Sequence, residues 1–343
     1  MVPVLQQALQ ERIQDLRNPK STTEEKQAME VTSLVVEELG RLKATQTARY
    51  VWEVVQSVED PMLKSEAIIA LGKMGAKQYA VDMARMLRNI NFNYDQIQNQ
   101  RANETLAYAL VKALERFKDP VGYKPVFFAS TGWYSSRSGV KERAEEALSV
   151  IVDNPTEQLT EIIKDEDNFR IKLQALEAEL DSNAPPADKA SVAALAFKES
   201  IQKVAQNKIE RRELKELRVV SLNAIQQISE KDQDAVPYMQ EMILGYRKDR
   251  IYDIDEMLAL LNAMGTYSSD PVARTLSDFL RYFNERREFS PPDSFRIVKA
   301  TIIALGNTGN PIAIEELNMV IISQYWESSV RNLAEEALEK VKQ

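Results

Sequence analysis

Any chemistry performed by this chain has to be performed without histidine or cysteine, because neither occurs among its 343 residues. Their absence removes His-based general acid–base catalysis, the Ser-His-Asp and Cys-His nucleophilic devices, and zinc sites of the usual His/Cys type. Carboxylates remain. The calcium-loop pattern D-x-[DN]-x-[DN]-G does not occur, however, and neither do the phosphate-binding patterns G-x-x-x-x-G-K-[ST] and G-x-G-x-x-G. The paired glutamates Glu145–Glu146 and Glu335–Glu336 stand in A-E-E-A-L patterns. Adjacent residues on a helix point about 100° apart, which suits a wet surface better than shared proton transfer. The sequence is therefore read as carrying no catalytic residue, no metal and no cofactor.

What remains are residue types that bind. Phe92 and Tyr94, Trp133 and Tyr134, Tyr246, Phe283 and Phe289, and Tyr325 with Trp326 recur along the chain, accompanied by Arg137, Arg247, Arg250, Arg286 and Arg287. Tyr, Trp and Arg dominate the energetics of protein interfaces. Two readings compete: a ridge that meets a partner, or plugs that fold back into gaps between neighbouring elements. Trp133 and Tyr134 favour the ridge, because they lie in F-F-A-S-T-G-W-Y-S-S-R-S-G, a stretch rich in serine and glycine with little core of its own. Trp133, Tyr134 and Arg137 are expected on a solvent-facing edge or concave rim, in line with Phe92, Tyr94, Tyr325 and Trp326. Tyr246, Arg247, Phe283, Arg286 and Arg287 complete the candidate partner-binding set. By contrast, Lys208, Arg211, Arg212 and Lys215 alternate with Glu210, Glu213 and Glu216 and read as a solvated helix face.

The elements that must position these residues are helices. With 44% hydrophobic residues and 28% charged, the chain can bury a large core, and 10 glycines and 13 prolines are too few for many hairpins. No apolar run reaches the roughly 18 residues of a membrane-spanning helix, so no membrane insertion is expected. A formal net charge of −8 opposes non-specific attraction to nucleic acid. Met1-Val2-Pro3-Val4-Leu5 runs straight into a helical pattern without n-region, h-region or A-x-A site. The chain is read as exported to the periplasm with its signal peptide removed, a cytoplasmic start being the alternative.

Internal repetition organises the helices. Residues 67–75 read A-I-I-A-L-G-K-M-G and residues 301–309 read T-I-I-A-L-G-N-T-G. One template recurs: a basic residue, small residues three and six positions later, then an apolar anchor. Lys64, Ala67, Ala70 and Leu71 fit it, as do Lys141, Ala144, Ala147 and Leu148. Arg218, Ser221, Ala224 and Ile225, and Arg331, Ala334, Ala337 and Leu338, fit it too. The anchors Leu39, Leu71, Leu114, Leu148, Leu176, Ile225, Met264, Leu305 and Leu338 recur at a mean interval of about 37 residues, within the range of helical-pair repeats. Between them, Asp119-Pro120, Asn154-Pro155, Asp270-Pro271 and Asn310-Pro311 read as helix starts, and Thr22-x-x-Glu25 as a capping box. The aromatic residues fall where one unit turns into the next.

This pattern resembles the HEAT-repeat family, and within it the short bacterial variants with an A-x-x-A-L-G-x-x-G core. The resemblance spans roughly residues 22–341. It implies an all-α fold, a right-handed α-solenoid of about eight or nine helix pairs. One solenoid would cover residues 1–343, with an N-terminal cap at 1–20, repeats at 22–325 and a capping helix at 326–343. It also implies that the basic-residue helix lines the concave side and pairs with an acidic residue in the preceding turn. Asp60 with Lys64 and Glu327 with Arg331 match that ladder, and the units at Leu114 and Met264 lack the basic residue. Function follows less directly, since such solenoids serve many purposes. A non-catalytic scaffold binding a protein or an extended peptide is expected. The alternative is a HEAT-like enzyme such as an alkylpurine DNA glycosylase, which would need a basic trough for DNA.

Overall fold

Short polar side chains set several of the helix starts in the computed structural model, which describes residues 1–18, 21–93, 99–249, 252–285 and 292–342. Asp60 accepts the Leu63 amide at 2.8 Å, Asn207 accepts those of Ile209 and Glu210, and Asp253 forms a complete capping box with Glu256. Ser21, rather than Thr22, caps its helix by accepting the Glu24 amide. Asp119-Pro120 and Asn310-Pro311 do cap, but they open single 3₁₀ turns at Pro120–Gly122 and Pro311–Ala313 that lead into the next helix. All regular structure among the described residues is helical, with no strand.

The chain divides into two compact units, Met1–Gln158 and Leu159–Gln343. The first holds α1 (Val2–Arg17), α2 (Thr22–Arg41), α3 (Ala48–Ser57), α4 (Pro61–Met74), α5 (Ala80–Phe92), α6 (Gln100–Phe117), α7 (Tyr123–Thr131) and α8 (Val140–Ile151). There α2, α4, α6 and α8 each pack on the next even helix, while α1 meets α3 and α5 meets α7. The division falls within α9 (Thr156–Asp165). The second unit continues with α10 (Phe169–Asp181), α11 (Pro186–Gln202), α12 (Lys208–Gln227), α13 (Val236–Asp249), α14 (Ile254–Met264), α15 (Asp270–Glu285), α16 (Pro292–Thr308), α17 (Ile314–Ile322) and α18 (Ser328–Lys342). Again the even helices, α10 to α18, stack in order, and so do the odd ones from α11 to α17.

Every repeat anchor lies on an even helix, and all are buried except Leu148, which is half-buried. The reason is visible in the small residues beside them. A Cβ built on Gly40 would stand 2.9 Å from the Cα of Ala70, on Gly72 2.9 Å from that of Ala113, on Gly265 3.0 Å from that of Ala304, and on Gly306 2.8 Å from that of Ala337. In each pair the glycine follows one anchor and the alanine precedes the next. Within α2, α4 and α6, and within α14, α16 and α18, neighbours thus approach one another backbone to backbone, closer than a side chain permits. The second glycine of the A-L-G-x-x-G pattern has a different task. Gly75 and Gly309 hold φ of 69° and 60°, the left-handed conformation that ends a helix, and Ala76 N–H returns to Leu71 O at 3.1 Å.

Charged links between neighbouring helices also exist, with partners other than those the family resemblance implied. Asp60 spends its carboxylate on the cap of α4, and no ion pair joins it to Lys64, or Glu327 to Arg331, among the described residues. Instead Arg143 on α8 pairs with Glu115 on α6, Arg218 on α12 with Glu256 on α14 at 2.9 Å, and Arg281 on α15 with Glu316 on α17 at 2.6 Å. Lys172, fully buried, donates to Ile163 O and to Glu199 at 2.8 Å. Glu145, Glu146, Glu335 and Glu336 are exposed, so the adjacent glutamates are surface residues.

Leu71 is fully buried on α4, between α2 and α6. Leu71→Ala should cost about 2–5 kcal/mol. Because each helix leans mainly on its neighbours, amide exchange should rise first in α2, α4 and α6. Equal loss of protection in α12 to α18 would contradict this stacking.

Candidate functional site

The Ser/Gly-rich stretch after α7 does find a core, and it finds it in the preceding odd helix. Tyr134 is 3% exposed, and its hydroxyl donates to Asn91 Oδ1 at 2.6 Å. Asn91, buried near the end of α5, donates in turn to the Pro125 carbonyl of α7 at 2.8 Å. The Trp133 indole stacks on Tyr134 at 4.5 Å and donates to Ile90 O at 3.3 Å, leaving the ring half-buried. Burial pushes the Tyr134 phenol well above the usual tyrosine range, and the Glu104 charge adds to the effect. A side chain held in this way is a strut tying α5, α7 and the 132–139 loop together. The expectation that Tyr134 stands on a solvent-facing rim is corrected.

The same device recurs in the second unit. Trp326 is 2% exposed, and its indole N–H donates to Asn284 Oδ1 at 2.9 Å. Asn284, near the end of α15, donates to Glu316 of α17 at 3.2 Å. In both units an asparagine near the end of one odd helix receives an aromatic side chain that follows the next odd helix. Phe283 is buried as well, edge-on to Phe279 at 5.1 Å, so neither Phe283 nor Trp326 belongs to a surface ridge. Tyr246 is half-buried against Phe279. Arg247 is exposed and lies over the Tyr282 ring at 5.2 Å. Phe92 and Tyr325 are 56% and 49% exposed, each with an aromatic neighbour, Phe128 and Trp326 respectively. Tyr94, Arg250, Arg286, Arg287 and Phe289 lie outside the described residues.

Arg137 is the member of the set that opens onto a cavity. An open groove of about 790 Å³ is lined by Gln100, Arg101, Glu104, Thr105 and Tyr108 of α6 and by Ser135, Arg137 and Ser138 of the loop. The α6 residues follow the helical spacing that places them on one face. The loop is fixed against that face. Ser135 N–H donates to Glu104 Oε1 at 2.8 Å, and Gln100 Nε2 donates to the same oxygen at 3.2 Å. Partial burial acts to raise the Glu104 carboxyl, and these bonds outweigh it, holding the group below the ordinary carboxylate range. Gly139, at φ 67°, carries the chain past the Tyr108 ring. Thr105 and Ser138 donate their hydroxyls to the Arg101 and Ser135 carbonyls. Lys112 lies 5.3 Å from the centre of the Tyr108 ring. The Arg101 and Arg137 side chains are exposed, with no hydrogen bond or ion pair to another described residue.

Sequence reasoning reached Arg137 and missed the α6 wall. The polar run Gln100, Arg101, Glu104, Thr105 and Tyr108 carries the signal of an exposed face, but nothing local announces the loop that faces it. A second groove, of about 470 Å³ in the second unit, holds Lys164 and Lys198 together with Asp232 and Asp234, so its charges balance.

The strut gives substitution of Tyr134 a cost in stability. Tyr134→Phe leaves buried Asn91 Oδ1 without its donor and should cost about 1–3 kcal/mol of stability, read as a lower urea midpoint with unchanged slope. An unchanged midpoint would return Tyr134 to the surface.

No family model matches the sequence, and no curated protein matches it. Among solved structures, an engineered protein aligns over 98% of this chain and 99% of its own length, at 14% identity and a TM-score of 0.32. At that score the likeness carries neither fold nor function across.

Proposed function

We propose that this chain is a non-catalytic scaffold, a right-handed solenoid of HEAT-like repeats that binds a protein or an extended peptide. The observation that carries the reading is the groove between α6 and the 132–139 loop. Its walls are held before any ligand arrives: Tyr134 and Asn91 anchor the loop to α5 and α7, and Ser135 ties it to Glu104. A preformed wall spares a ligand the cost of ordering it, which is where much binding energy is otherwise lost. The nine anchors on alternating helices support the repeat reading. Function in such an arrangement resides in the side chains that stacking leaves exposed, because stacking itself consumes the apolar faces.

The test compares immobilised full chain with an Arg101→Glu/Arg137→Glu variant in capture of proteins from lysate. Both side chains are exposed, so far-UV circular dichroism and melting should be unchanged while a protein held by the wild type is lost by about tenfold or more. Retention of nothing by the wild type, or identical retention by both, would contradict the proposal.

A further inference from the structure

We infer that the groove between α6 and the 132–139 loop selects acidic peptide segments, its two free guanidiniums receiving the carboxylates of aspartate or glutamate side chains; this rests on the scaffold reading above. Arg101 comes from a helix and Arg137 from the loop opposite, and both line the same cavity. Three arginines within helices are already occupied: Arg143 holds Glu115 and Glu146, Arg218 holds Glu256, and Arg281 holds Glu316. In a chain with 52 acidic against 44 basic residues, two guanidiniums left facing one groove are available for an external acid.

The lining keeps a net positive charge, two guanidiniums against the one Glu104 carboxylate. Glu104 is the one acidic side chain of the lining, and its Oε1 is engaged by Ser135 and Gln100. Thr105 and Ser138 direct their hydroxyl hydrogens to backbone carbonyls. Among the donors left unused, the guanidiniums are the charged ones, and they match carboxylate geometry with two parallel hydrogen bonds. A basic segment would meet like charge, and an apolar one would cover donors without satisfying them. Lys112, beyond Tyr108, adds a third cation on the same helix. From Gln100 to Tyr108 the wall runs roughly 12 Å, room for about four residues of extended chain.

The experiment pans phage-displayed random peptides against the full chain, the Arg101→Gln/Arg137→Gln variant serving as comparison after its melting is matched to wild type. The expected result is that Asp and Glu are enriched about threefold or more at two positions on the wild type and not on the variant, and that added salt weakens retention. Equal acidic enrichment on the variant would overturn the assignment to this groove. Enrichment of peptides without acidic preference would overturn the inference and leave the scaffold reading standing. Enrichment of nothing would count against both.

Discussion

The close approach of glycine to alanine between successive even helices is the constraint on which the rest of the structure depends. Gly40 against Ala70 and Gly72 against Ala113 bring α2, α4 and α6 together, and Gly265 against Ala304 and Gly306 against Ala337 do the same for α14, α16 and α18. Once the backbones are that near, the anchors beside them have no route to solvent, and Leu39, Leu71, Leu305 and Met264 are fully buried. After the anchor Leu114 the glycine is replaced by Glu115, which reaches Arg143 on α8. Such a pair, partly exposed, contributes less than burial does and fixes register more than stability.

Two pairs of odd helices, α5 with α7 and α15 with α17, are tied by a different device. Their ends are joined by Asn91 and Asn284, each receiving an aromatic group from the segment after the next odd helix. That strut is what makes the 132–139 loop a wall rather than a loose connection. Tyr134 and Trp133 face inward on α5, which leaves Ser135, Arg137 and Ser138 to face α6. The groove is thus a by-product of how the repeat closes, and its charge is set by two residues that the closure does not use.

Much of the fold was legible because its signals are local. Cap residues such as Asp119 and Asn310 act within two residues, and the anchors recur with their alanines on one helix. The site was legible only in part. A tryptophan and a tyrosine among serines and glycines look short of neighbours, yet their neighbours are Ile90 and Asn91, supplied from more than 40 residues earlier. Neither asparagine stands out alone; the signal was the spacing, Asn91 to Tyr134 and Asn284 to Trp326, nearly equal in both units. The implied acidic ladder failed at Asp60 for a local reason, since a carboxylate that caps a helix is already committed. Arg101 signalled an exposed face but not a groove, because the loop that makes it part of one lies some thirty residues on.

The most direct test of the account is the stability of Gly72→Ala, measured by urea unfolding. Gly72 lies within α4, where helix propensity alone favours alanine by about 1 kcal/mol. The Cβ that alanine adds would stand 2.9 Å from the Cα of Ala113, so α4 and α6 must separate. The account predicts a net loss of about 1–3 kcal/mol, the usual cost of overpacking. A variant more stable than the wild type would contradict it, because the helices would then not be set by that contact.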